Sequence, residues 1–302
     1  MDARKLTNAA MMTAMAVVIT LVGVYVPLLF LLFFLIPAPI AITCVRSSES
    51  YAVAASFAVF IVNVIFTDII TAFISLFFAL QGFLIGYLIL KKRKASEIVI
   101  DTSVVSVFSI IVIFYFIKIA FNINVIDQFF KIFDMSTKQV LSIYKGHPDI
   151  SSIKSTLMAL EQMVKMSLPA SIIITVVSII LINYIVIAKV LKTQRVSIDT
   201  LPTFENWRMP YITGWIFIGA LIYQYFLEKP EIITTNIIIL LSLGFTLGGM
   251  SVVKYYLTHK LNVKPLLCNL ILVFLFIFPL TSWLLTILGI ADTSMNLRKY
   301  ML

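Results

Sequence analysis

The sequence predicts an all-α fold, a polytopic transmembrane helical bundle of about nine spans, with eight as the alternative. Three observations carry that expectation. Of the 302 residues, 61% are hydrophobic and only 12% are charged, and the mean hydropathy is +1.06. Soluble domains run at roughly 45–50% apolar and about 25% charged. Apolar windows of roughly 20 residues, the length that crosses a bilayer core as a helix, recur from Leu6 to Ile290. Basic residues gather between those windows rather than spreading along the chain. A globule in water would lack the polar surface to cover itself, so the composition excludes a soluble enzyme, a nucleic-acid-binding domain and a disordered scaffold.

The first span reads from about Leu6 to Val24; its short basic start resembles a signal peptide, but the apolar run reaches full span length and is read as retained. The second, about Leu28 to Cys44, carries Pro37 and Pro39 and is expected to be kinked or broken. The third and fourth, Tyr51–Phe66 and Ile69–Leu90, form a tight hairpin around Thr67–Asp68, and the fifth covers Ile98–Phe121. Residues 122–166 change character, with Asp127, Lys131, Asp134 and Lys138 alternating in sign. Ile126, Phe129, Phe130, Phe133, Val140 and Leu141 recur there at helical spacing, which predicts an amphipathic helix. Gly146-His147-Pro148 ends it, and Asp149 or Ser151 is placed to cap a second helix, the pair lying on the outer membrane surface. The sixth span is Leu168–Leu191, followed by a basic loop to Pro210. Tyr211–Phe226, Ile232–Tyr256 and Pro265–Ile290, the last interrupted by Pro279, complete the set.

Basic clusters at Arg4–Lys5, Lys91–Lys94, Lys189–Arg208 and Lys254, Lys260 and Lys264 mark the cytoplasmic face. A cytoplasmic N-terminus and nine crossings place all of them inside and the C-terminus outside. Arg298 and Lys299 sit better inside, which favours eight. The net charge of +9 is therefore topological, with attraction to anionic lipid heads as a second effect, and requires no nucleic acid.

The chain carries no GxxxxGK[ST] phosphate loop, no HExxH and no GxSxG elbow. His147 and His259 fall on opposite sides of the expected membrane, and Cys44 and Cys268 have no metal-ligand spacing. The expectation is a protein with no catalytic centre, metal or cofactor, driven by an ion gradient or a partner. Asn63, Gln81 and Gln224 are neutral polar groups within spans, suited either to interhelical hydrogen bonds or to substrate contact. Asp68 reads as a turn residue or a ligand contact, and Lys118 as a snorkelling cation or a ligand contact. Gly82/Gly86, Gly244/Gly248 and Ala54/Ala58 have the spacing of close helix packing, and Ala10/Ala14 that of packing or of a docking face for another membrane protein. In Phe204-Glu205-Asn206-Trp207-Arg208-Met209-Pro210, Trp207 and Arg208 are interfacial anchors and Pro210 a helix start. An ion pair of Glu205 with Arg208 would orient this loop against a helix or a cytoplasmic partner.

The Phe204–Pro210 segment, together with Ile287-Leu288-Gly289-Ile290-Ala291-Asp292 and the following Arg298, resembles the YybS-like family of bacterial membrane proteins. The likeness covers nearly the whole chain and departs at Thr293-Ser294-Met295, where an aromatic is expected. That family is similar, more distantly, to the substrate-binding S-components of energy-coupling factor (ECF) transporters. These six-helix proteins capture vitamins or metal ions from outside and dock, through small alanines on their first helix, on a coupling subunit served by two ATPases. The resemblance implies a six-helix core at 1–191 with an added outer insertion at 122–166, and an addition at 192–302 comprising the tryptophan loop and three spans. It implies partner docking through Ala10 and Ala14; Glu205, Trp207 and Arg208 of the loop are partner contacts on the reading of the loop residues themselves. Asn63, Asp68, Gln81, Lys118 and Asn122 become candidate contacts to a small-molecule ligand in a pocket near the outer face of a bacterial cytoplasmic membrane. A non-transporting scaffold or regulatory protein of the cell envelope is the alternative, with a lipid-modifying enzyme third.

Overall fold

The computed structural model describes residues 3–145, 149–227 and 230–300, and among these every regular element is helical. In order they are α1 (Ala3–Tyr25), a 3₁₀ segment (Pro27–Leu35), α2 (Pro37–Arg46), α3 (Glu49–Phe66), α4 (Ile69–Leu90) and α5 (Ala95–Phe121). α6 (Val125–Ile143), α7 (Ile150–Thr193), a 3₁₀ turn (Phe204–Asn206), α8 (Tyr211–Phe226), α9 (Ile232–His259), α10 (Pro265–Ile277), α11 (Pro279–Met295) and a last 3₁₀ turn (Leu297–Tyr300) follow. Local chemistry sets many of the boundaries. Ser48, Asp68 and Asn124 cap the starts of α3, α4 and α6 with their side chains. Pro37, Pro265 and Pro279 stand in first turns, where a missing N–H costs nothing. Asn122 and Asn296 end α5 and α11 in the left-handed conformation.

Among the described residues, seven helices are long and apolar enough to cross a membrane, or eight if the α10–α11 pair counts as one. The expectation of nine exceeds this for two physical reasons. α8 has only 16 residues, about 24 Å of helix against a core of about 30 Å. α10 and α11 are bent by 105° at Phe278, so they do not make a straight span. The broken second span is present as expected, with a 3₁₀ stretch before Pro37 and α-helix after it. The second outer helix and the sixth span are instead one helix of 44 residues, α7, with Pro169 inside it. The expected break at Gly146-His147-Pro148 lies outside the described residues. α6 is amphipathic as expected, and none of its 19 residues is buried.

The chain divides into two compact units, Met1–Asn122 with Thr175–Leu201, and Ile123–Ile174 with Pro202–Leu302. In the first, α1 buries Ala9, Met12, Ala16, Thr20 and Gly23. α2 is buried on all sides from Pro37 to Cys44. It fits because α4 offers Gly82 and Gly86: a Cβ on Gly82 would stand 2.2 Å from the Pro37 carbonyl oxygen, and one on Gly86 2.6 Å from the Cys44 Cβ. The small-residue pair read from the sequence is thus the α2–α4 contact. Ser47 ties the end of α2 to the start of α1, donating to the Lys5 carbonyl at 2.9 Å and accepting from Asn8 at 3.2 Å.

In the second unit α9 is central. Its close crossing with α11 uses Gly249 and Gly289, whose Cβ positions would lie 1.9 Å from the carbonyl oxygens of Leu285 and Phe245. Gly248 has only ordinary contact, and Gly244 makes room for the Met209 side chain. The expected Gly244/Gly248 pair is therefore displaced by one residue and by one partner.

Candidate functional site

The first unit holds a polar interior. On α3, the Asn63 amide donates to the Ser75 hydroxyl of α4 at 3.0 Å, and Ser75 donates in turn to the Ala72 carbonyl at 2.8 Å. On α7, the Asn183 amide nitrogen donates to two carbonyls, Phe34 in the 3₁₀ segment at 2.6 Å and Ile179 of its own helix at 2.9 Å. Because both partners are acceptors only, the amide orientation is fixed and the Asn183 oxygen faces the interior as an acceptor. Among the described residues it has no donor, and neither do the oxygens of Asn63 and Gln81. All three residues are buried. Ser75, Phe78 and Gln81 follow one another at single-turn spacing on α4. Ser75 holds Asn63, and Phe78 packs edge-on against Phe34 at 5.8 Å.

The remaining candidate contacts lie at the surface of the unit. Asp68 is the exposed N-cap of α4, bonded to the Thr71 hydroxyl and backbone N–H, which together hold its carboxyl below the usual carboxylate range. Lys118 and Asn122 are exposed at the end of α5, the latter as the left-handed cap. Ala10 and Ala14 lie on the uncovered face of α1 beside Met11, Met15 and Val18. A cavity of about 320 Å³ opens at the other, basic end of this unit, lined by Lys92, Arg93, Tyr184, Ser197 and Asp199 among others. Asp199 there caps α5 by accepting the Ala95 N–H at 2.8 Å. Arg93 is engaged by Asp101 at 3.0 Å and Glu97 at 3.3 Å, which raise its pKa further.

In the second unit the two segments that carried the family resemblance meet. Arg208 turns away from Glu205 and donates to the carbonyls of Asp292 and Thr293 at 2.8 and 3.0 Å, so it caps the end of α11. The expected Glu205–Arg208 pair is replaced by this contact, since orphaned helix-end carbonyls next to a carboxylate attract the guanidinium more strongly than the loop carboxylate does. Arg298 returns from the tail and donates to the carbonyls of Glu205 at 2.8 Å and Trp207 at 2.6 Å, and to the Ser251 hydroxyl at 3.0 Å. The Asp292 carboxylate, only 1% exposed, is 3.3 Å from Arg298. Trp207 itself is held by its indole N–H on the Pro202 carbonyl at 3.0 Å and by the Phe204 ring at 5.3 Å. Asn236 was not among the expected residues. It bridges α7 at its proline, accepting from the Ala170 N–H at 2.6 Å and donating to the Met166 carbonyl at 2.7 Å.

Long apolar helices with buried, hydrogen-bonded amides and ion pairs define a multi-pass helical membrane protein. The chain matches the family described as "Predicted membrane protein (DUF2232)" over residues 14–293, and it belongs to that family. It is 24% identical over 312 residues to "Uncharacterized protein YybS" of Bacillus subtilis (strain 168), covering 98% of each chain. No solved structure matches it.

Proposed function

We propose that the protein is the substrate-capturing membrane subunit of a transporter of the ECF kind, taking a small molecule from outside and relying on a coupling subunit and ATPases supplied by other chains. In this reading residues 1–191 are the S-component-like core, and the insertion 122–166 and the region 192–302 are additions to it. The chain lies in a bacterial cytoplasmic membrane with its N-terminus inside, and carries out no catalytic step of its own. The observation that carries the reading is the set of three buried amide oxygens, of Asn63, Gln81 and Asn183, that have no donor. A buried acceptor left unpaired costs about 1–3 kcal/mol, and a ligand bearing N–H or O–H groups offsets that cost on binding. The uncovered Ala10–Ala14 face of α1 supports docking on a second membrane protein.

Native mass spectrometry of the complex drawn gently from its own membranes tests this. A coupling subunit and two ATPases should co-purify, and Ala10→Leu or Ala14→Leu should remove them while leaving ligand binding intact. A complex containing only cell-envelope partners would overturn the transporter reading. It would favour the scaffold alternative, which draws support from α6, a helix with no buried residue.

A further inference from the structure

We infer that α10 and α11 form a re-entrant hairpin, entering and leaving on the membrane face that carries residues 202–208, and that Arg298 latches its end to that segment. Direction is the first reason. α10 starts at Pro265, just past the basic end of α9 at Lys254, His259 and Lys260, and α11 turns from it by 105°. At a bend beyond a right angle the second limb makes no further progress along the first. Roughly 20 Å of α10 followed by roughly 26 Å of α11 therefore does not add up to one pass.

The contacts at the end of α11 supply the second reason. Its last carbonyls belong to Arg208, and Arg298 belongs to the Glu205 and Trp207 carbonyls. These bonds fix the end of the hairpin beside the segment before α8, so the two are on one side. The nearly buried Asp292 carboxylate is stable there because Arg298 and Arg208 face it at 3.3 and 3.9 Å. Charge segregation agrees, because Lys254, Lys260, Lys264, Arg298 and Lys299 then share one face.

The latch has a second effect. Phe204 lies by Lys254 and Met209 against Gly244, which is about 22 Å along α9 from His259. The segment 204–210, a 3₁₀ turn over Phe204–Asn206 and extended chain from Trp207 on, therefore descends beside α9, and α8 starts inside the membrane. That accounts for a pass with only 16 helical residues, since the unwound stretch supplies the rest. With α10–α11 crossing nowhere, eight passes remain.

Single cysteines in a Cys44→Ser, Cys268→Ala background test both parts with a membrane-impermeant maleimide on sealed vesicles of each orientation. Lys299→Cys should label from the same side as Leu261→Cys, in the turn before α10, and from the side opposite Glu231→Cys. Labelling of Lys299→Cys together with Glu231→Cys would overturn the hairpin. For the latch, Met209→Cys should react about tenfold faster when Arg298→Gln is added, as expected for loss of charge-assisted hydrogen bonds. Should that variant fail to accumulate, Ser251→Ala, which removes one Arg298 acceptor, should give a smaller rise. An unchanged rate in the variant measured would overturn the latch.

Discussion

Two buried asparagines, Asn183 in the first unit and Asn236 in the second, start from the same arrangement and end differently. Each amide nitrogen donates to the carbonyl four residues back and to one carbonyl on another segment, Phe34 for Asn183 and Met166 for Asn236. Asn236 also spends its oxygen, on the Ala170 N–H next to Pro169. The Asn183 oxygen accepts nothing, and Asn63 and Gln81 nearby in sequence register on α3 and α4 repeat the pattern. One region uses an amide to close a helix that proline has opened. The other holds its amides with an acceptor to spare. Fully satisfied polar groups in a membrane interior hold structure together; partly satisfied ones leave room for a further partner.

The largest effect should come from breaking the satisfied side. Asn236→Leu leaves the Ala170 N–H and the Met166 carbonyl without partners and should destabilise by about 2–4 kcal/mol, measured as loss of unfolding free energy in detergent. Pro169→Ala sharpens this: the helix can then reclose, and a double-mutant cycle should show the Asn236→Leu cost falling below about 1 kcal/mol. A cost that stays the same would mean Asn236 acts elsewhere than at the proline.

Asn183→Leu should cost less, about 1–2 kcal/mol, because it frees only the Phe34 carbonyl. The same assay should show release of the 3₁₀ segment as faster proteolysis within 27–35. Gln81→Leu should change stability by less than about 0.5 kcal/mol, since its oxygen has no donor to lose, and should abolish ligand binding in native mass spectra. A stability loss as large as that of Asn183→Leu would assign Gln81 to packing and end the comparison.

The smallest effect is at Asp68, a polar group at the surface. Its carboxyl is held below the ordinary value of 3.8 by Thr71. A depressed folded pKa makes its capping contribution complete at neutral pH and removes it as pH falls through that lowered value. The Tm difference between the protein and Asp68→Asn should therefore be present at pH 7 and shrink only as the pH falls below the ordinary carboxylate value of 3.8.

Much of this was legible in the chain itself. α3, α4 and the inner half of α5 follow unbroken apolar runs with capping residues at their ends, and those signals are local. The break before α2 was legible from Pro37 and Pro39 for the same reason. α7 was not, because Pro169 marks a helix end in any local reading. What keeps the helix intact is an amide 66 residues away in the chain at Asn236. Asn183 likewise finds Phe34 across 149 residues. The bend at Phe278 was visible as an interruption, but a proline says where a chain turns and not toward what. The meeting of the tryptophan loop with the Asp292–Arg298 tail had one sequence signal, their joint presence in the family resemblance. Their pairing was read as Glu205 with Arg208 because neighbours in sequence were the only partners in view.

One consequence of α7 reaches beyond the bilayer. At 44 residues it is about 66 Å long, twice what a hydrocarbon core takes up. Asn236, four residues into α9 from its start at Ile232, grips it at Met166–Ala170. The stretch from Ile150 to Lys165 therefore stands about 24 Å clear of that grip as a rigid mast. Its charged flank, Lys154, Glu161 and Lys165, is held out along that length from the point where the proline is gripped.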